Sequence, residues 1–202
     1  MKKILLFNIC MLVVTVMKVT AIESKSVYEL CPKDPEAVYF TPENYGIKSD
    51  GSMDVSDALQ NAINEVKKKY NFGIVFLPEG KYKITKTVYI PKAVRLIGYG
   101  KKRPIVFLAK NSPGYQQEVI DDKGKARYMF WFTDNLVNES EKPRDAGAGT
   151  FYSAISNIDL RIEDGNPHAV ALRTHFAQHS FVSHVDIYIG KGKAGLFDVG
   201  NE

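Results

Sequence analysis

Ten residues near the end of the chain, Ser153–Ile162, return 27 positions later as Ser180–Ile189. Ser153/Ser180, Ser156/Ser183, Asp159/Asp186 and Ile162/Ile189 are identical, and Ile155/Val182, Ile158/Val185 and Leu160/Ile187 are conservative exchanges. The same offset carries Gly165 onto Gly192 and pairs Leu172 with Val199. A unit of this length, built of short strands that follow one another without helices, marks a solenoid. A solenoid stacks equivalent residues into ladders, so the repeat predicts which side chains end up side by side.

The beginning of the chain reads as an export leader. Lys2-Lys3 precede an apolar run from Ile4 to Val16, and Val19-Thr-Ala21 supplies small residues at cleavage spacing. Residues 1–21 are therefore expected to be a signal peptide cut after Ala21, which places the mature chain outside the cell, in a periplasm or at the cell surface. The run is too short for the ~20 residues that cross a bilayer, so no membrane span is expected to remain. Removing the leader takes away Lys2, Lys3 and Lys18 and no acid, and the formal charge falls from +4 to +1. Nothing in that balance supports a nucleic-acid partner. Only Cys31 would survive, so no internal disulfide can form.

Residues 22–45 read as an extended segment in which Pro32, Pro35 and Pro42 bar a helix. Beyond the Asp50-Gly51 turn, Val55, Ala58, Leu59, Ala62, Ile63 and Val66 fall on one face of an α-helix over about 54–69. Asp54 is placed to cap its first amides, and Lys67-Lys68-Lys69 suits its negative end. Strand after strand follows: 74–77, 82–84, 87–90, 94–97 and 105–108, with Gly80 and Gly100 marking a shorter coil. Such strands could also build a sandwich; the repeat favours the solenoid, with the helix covering its open end. Residues 111–150 break the pattern yet contain Tyr128-Met-Phe-Trp-Phe132, read as a strand returning to the core, with Trp131 as a sugar-stacking platform the alternative.

Asn44-Tyr-Gly46-Ile-Lys-Ser-Asp50-Gly51, followed by Asp54, Asp57, Ala58, Gln60, Ala62 and Ile63, resembles the entry segment of the pectate lyase superfamily. More narrowly, it is similar to the rhamnogalacturonase/epimerase-like group of right-handed β-helices. Gly73-Ile-Val-Phe-Leu-Pro78-Glu-Gly80-Lys-Tyr82 and Leu96-Ile-Gly98-Tyr-Gly100 resemble the next two signatures of that family, in order and spacing. The resemblance covers roughly residues 38–110. It implies an all-β, right-handed parallel β-helix with an N-terminal capping α-helix, over 46–202, and a polysaccharide partner. It supplies no catalytic residues, because the matching blocks are architectural: Gly80, Gly98 and Gly100 are expected where a Cβ would be costly.

Chemistry is sought in the ladder. If Ile158, Leu160 and Ile162 face inward with Val185, Ile187 and Ile189, then Asn157, Asp159 and Arg161 point outward beside His184, Asp186 and Tyr188. Asp159 and Asp186 would be neighbours at the ~4.8 Å coil spacing. Such carboxylates can serve a glycosidase as acid and base or nucleophile, or hold Ca²⁺ for a lyase; Arg161, His184 and Tyr188 would orient substrate. The bland alternative is a solvated ladder in which Arg161 neutralises Asp159. His175, His179 and His184 lack the helix that would turn their spacing into a metal site. Arg173 and Gln178 could bind a uronate or satisfy turn carbonyls.

Taken with the polysaccharide role that the resemblance implies, the expectation is cleavage of a plant-type or acidic polysaccharide, hydrolysis ahead of lyase chemistry, with Asp159 and Asp186 as the carboxylates. Glycan binding without cleavage, as in adhesins, is the reading from another class. The second copy of the repeat is barely complete at Glu202, so the β-helix is expected to be C-terminally incomplete.

Overall fold

The computed structural model describes residues 24–118, 127–197 and 199. The expected leader, residues 1–21, lies outside them. The first coil contains β1 (Val38–Tyr39), the one-turn helix α1 (Pro42–Tyr45), β2 (Asp50–Asp54) and the helix α2 (Ser56–Tyr70). The second runs through β3 (Gly73–Pro78), β4 (Lys81–Ile84) and β5 (Val88–Pro91), and the third through β6 (Val94–Tyr99), β7 (Ile105–Leu108) and β8 (Arg127–Thr133). The fourth holds β9 (Ala154–Ser156), β10 (Asp159–Ile162) and β11 (Ala169–Arg173), and the fifth β12 (Phe181–Ser183), β13 (Ile187–Tyr188) and β14 (Ala194–Leu196).

Each strand pairs in parallel with its counterpart one coil away. The first sheet reads β1-β3-β6-β9-β12, the second β2-β4-β7-β10-β13, and the third β5-β8-β11-β14. This is a three-faced parallel β-helix. In the first coil α2 stands where the third sheet would have a strand. Leu59, Ala62, Ile63 and Val66 on its apolar face are fully buried in the common core. Burying a side chain of the size of Leu59 or Ile63 stabilises by about 1.5–3 kcal/mol, so this face outweighs the helix's own propensity as the reason it forms there.

Inside the barrel the ladders are apolar. Val75, Leu96, Ile155 and Val182 stack in the first sheet, Tyr82, Val106, Leu160 and Ile187 in the second, and Val88, Phe130, Leu172 and Leu196 in the third. The 27-residue offset holds in the first two sheets, where Ser156 meets Ser183 and Leu160 meets Ile187. It fails in the third: Leu172 meets Leu196, three residues short of the expected Val199. The turn between β13 and β14 is shorter than its counterpart between β10 and β11, and corners vary in length where strands cannot.

Three local expectations are corrected. Pro42 does not bar a helix; it opens α1 behind the Thr41 cap, where its missing N–H is no loss. Asp54 sits one residue ahead of the Val55 cap position, yet its Oδ1 does accept the amide and hydroxyl of Ser56. Asn157 is no outward strand residue. It is a corner residue with φ 58°, matched one coil on by His184 at φ 53°. Its carboxamide donates to the Gly98 carbonyl at 2.7 Å, which ties neighbouring corners together. A Cβ on Gly98 would run into the Asn157 carbonyl and the Pro104 ring, so glycine is needed there for close approach. Gly100 is needed twice over, by its φ of 128° and by the Glu79 side chain against it.

Candidate functional site

Two outer faces of the helix carry groups capable of chemistry. On the second sheet, stacking aligns Lys83, Phe107, Arg161 and Tyr188 in one outward row. Lys81, Ile105 and Asp159 form the row beside it, and Asp186 follows Asp159 through a bond from its amide to Asp159 Oδ1 at 3.2 Å. The structure thus brings Asp159 and Asp186 together, but through a residue the sequence did not point to. Arg103 Nη1 lies 3.2 Å from Asp159 Oδ1 and 3.2 Å from Asp186 Oδ2. Arg161, expected to orient substrate or, on the bland alternative, to neutralise Asp159, lies over the Tyr188 ring at 5.0 Å. Its buried Nε has no hydrogen-bond partner among the described residues.

The pair is not the open ladder expected. The Asp159 side chain is 3% exposed and that of Asp186 53%. The cover comes from residues 24–28, which cross this face as a strap. Ser24 Oγ donates to Asp186 Oδ2 at 2.5 Å, and Arg103 Nε donates to the Lys25 carbonyl at 3.2 Å. Asn157 Nδ2 donates to Ser26 Oγ, the Val27 amide to Asn157 Oδ1, and the Gly100 amide to the Tyr28 carbonyl. Positive charge already stands between the carboxylates, where a calcium ion would have to sit. A cleft of about 130 Å³, lined by Glu79, Lys81, Arg103, Asp159 and Arg161, remains open beside them. His184 is exposed at its corner, one coil beyond Asn157.

The third sheet is flanked differently. Both excursions from the repeat border it: the chain between β7 and β8 enters it, and the chain between β8 and β9 leaves it. Trp131 belongs to β8, the expected returning strand, and Arg173 ends β11 in register with it. Arg173 is 2% exposed and holds Asp145 of the second excursion by two bonds, Nε to Oδ1 at 2.8 Å and Nη2 to Oδ2 at 2.6 Å. Trp131 Nε1 donates to the same carboxylate at 2.7 Å, and His175 Nδ1 approaches it at 3.1 Å. Burial by itself would raise the Asp145 carboxyl. The bonds from Arg173, Trp131 and His175 and the guanidinium charge outweigh it, and hold the group below the ordinary aspartate range. Arg173 therefore ties down an excursion, and the Trp131 indole N–H is engaged by protein.

Where α2 meets β5, the two excursions overhang a cleft of about 1100 Å³. Lys68, Lys86 and Arg127 line it with Asp57 and Glu139, alongside Asn61, Asn64 and Tyr89. Asp57 is already bound by Lys86 at 2.7 Å. Arg127 lies over the Tyr115 ring at 5.9 Å, and its buried Nε has no hydrogen-bond partner among the described residues. Sequence reading missed this cleft because its walls come from a helix and two excursions that break the repeat. No helix among the described residues is long and apolar enough to cross a membrane.

The profile of a family described as rhamnogalacturonase A/epimerase, pectate lyase-like, matches residues 41–200. No curated protein sequence matches. Among solved structures, the chain is similar to ORF18 of Geobacillus virus E2, at 22% identity and a TM-score of 0.44, over 75% of this chain and 25% of that one. It is also similar to an iota-carrageenase complexed to iota-carrageenan fragments (14% identity, TM-score 0.45, 81% of this chain and 31% of that one). The A-module of a mannuronan C-5 epimerase from Azotobacter vinelandii is matched at 13% identity and a TM-score of 0.49, over 80% of this chain and 42% of the module. The chain thus spans between a quarter and under half of the length of these structures.

Proposed function

Taking as premise that the chain belongs to the rhamnogalacturonase A/epimerase, pectate lyase-like family, we propose that it binds and processes an acidic polysaccharide along the cleft between α2, β5 and the two excursions. The observation that carries this reading is the broad cleft itself, which Arg127 lines beside Lys68 and a set of side-chain amides. Lys68 adds positive charge, Lys86 is paired with Asp57, Tyr89 offers an aromatic face, and Asn61 and Asn64 offer amides that suit sugar hydroxyls. The protein acts outside the cytoplasm after its leader is removed, with a right-handed helix whose first-coil end α2 covers. Arg127→Ala is expected to weaken binding of polygalacturonate or a sulfated galactan at least tenfold by titration calorimetry. Unchanged affinity would remove the cleft from the reading. Product mass then separates reactions: added water marks a hydrolase, an unsaturated end a lyase, and no product a binder of the adhesin kind.

A second reading places cleavage at Asp159 and Asp186, with Arg161, His184 and Tyr188 orienting the sugar. What favours it is the small cleft beside the pair and the unpaired Nε of Arg161. It requires the strap of residues 24–28 and Arg103 to withdraw, since a covered carboxylate cannot reach a sugar. Asp186→Asn should then abolish turnover while sparing binding; full activity in that variant would dispose of the assignment.

A further inference from the structure

One corner of the β-helix repeats an unusual backbone conformation. Just before the first-sheet strands, Ala93, Tyr152 and His179 take φ of 64°, 63° and 61° in the third, fourth and fifth coils. The strand registers set them opposite one another, and they set Phe72 of the second coil opposite Ala93. The corner therefore presents a row of side chains along the helix axis: Phe72, Ala93, Tyr152, His179. Tyr152 and His179 stack, with ring centroids 5.2 Å apart and planes 12° from parallel. Ala93 is the one position of the four without a ring.

That gap is a cavity. A pocket of about 550 Å³ opens there, lined by Phe72, Ala93, Tyr152, Arg95, Asp34 and Glu36 among others. Phe72 and Tyr152 are 56% and 51% exposed, so both rings are open to a ligand. Coils repeat at ~4.8 Å, so residues two coils apart stand ~9.6 Å apart along the axis. Van der Waals contact takes ~3.5–4 Å on each side, which leaves room for one flat ring between the aromatic side chains. The polar residues at hand are Asn71, the carboxylates Asp34 and Glu36, and Arg95, whose Nε is already bound to the Tyr152 carbonyl at 3.1 Å.

We propose that the slot between Phe72 and Tyr152 is a second glycan subsite, which takes one pyranose ring of an uncharged sugar. The rings supply stacking faces, and the carboxylates accept hydrogen bonds from hydroxyls. Two carboxylates at the rim disfavour a uronate or sulfated unit by like-charge repulsion. The corner, with two carboxylates against one guanidinium, thus differs in charge balance from the cleft, where three cations face two carboxylates, and the two sites stand or fall separately. Neutral side branches or neutral stretches of a mixed polymer are the chemistry it would recognise.

The test exchanges the row's own residues. Cellotetraose, β-1,4-galactotetraose and trigalacturonate are titrated into the full chain by calorimetry, with saturation-transfer NMR reporting which sugar rings touch protein. At least one neutral tetrasaccharide is expected to bind. Ala93→Tyr fills the slot at a φ that Tyr152 already tolerates, and Tyr152→Ala removes a wall at a φ that Ala93 already tolerates. Each should lower neutral-sugar affinity at least tenfold, with circular dichroism, melting and trigalacturonate affinity unchanged. The proposal is overturned if neither neutral sugar binds, if Ala93→Tyr binds as well as the parent, or if the slot variants abolish trigalacturonate binding equally.

Discussion

Two outer faces of this solenoid bury an arginine against aspartate, and they do it with different parts of the chain. On the third sheet, Arg173 and Asp145 are 2% and 10% exposed at their side chains, joined by two parallel bonds and backed by Trp131. On the second, Arg103 makes single contacts to Asp159 and Asp186, and one of those carboxylates stays half in water. The first clasp anchors an excursion; the second anchors the strap of residues 24–28. Outer faces of a β-helix become interior only where extra chain is laid over them. The quality of the ion pair tracks how completely that chain seals the face.

The comparison is broken or sharpened by substitution, from the largest effect down. Arg173→Ala leaves the Asp145 charge buried without its partner and should cost about 3–5 kcal/mol in denaturant unfolding. A loss under about 1 kcal/mol would mean the excursion simply lifts away. Acid should act on the same clasp. The folded Asp145 carboxyl is held below its unfolded value, so its stabilisation is fully present above the ordinary aspartate range near ~4 and is lost as pH falls through the lowered value. Asp145→Asn should flatten that limb of a melting-temperature profile; an unchanged limb would place the acid sensitivity elsewhere.

Arg103→Ala comes next, at about 1–3 kcal/mol, because it strips the buried Asp159 of one bond while the Asp186 amide remains. Limited proteolysis should then cut within residues 24–28 faster than in the parent. A cost equal to that of Arg173→Ala would erase the distinction between the two faces. Asp186→Asn is the smallest, within about 1 kcal/mol, as a half-exposed ion pair contributes little.

Much of the architecture was legible in the chain, and the limits are physical. The match of Ser156 to Ser183 and of Leu160 to Ile187 could be read because those strands are separated by one uninterrupted coil. Leu172 and Leu196 could not be matched, since one shortened corner shifts every later residue. The α2 face showed in its spacing, as burial on one side of a helix demands. Arg103 was invisible. It reaches Asp159 across a 56-residue separation that includes both excursions, and only stacking reveals that they are neighbours. The Arg127 cleft escaped for the same reason, being assembled from segments that obey no repeat.

The strap has a consequence for how the chain reaches its final state. Ser24 bonds to Asp186, 162 residues later, and Val27 to Asn157, 130 residues later. Those partners do not exist when the strap emerges from a ribosome, and at about 5–20 residues per second they follow on the order of 10 s behind. The first described residues to be synthesised are thus among the last to settle. Until they do, the face carrying Asp159 and Asp186 stands uncovered, and the strap's arrival closes the sequence of assembly.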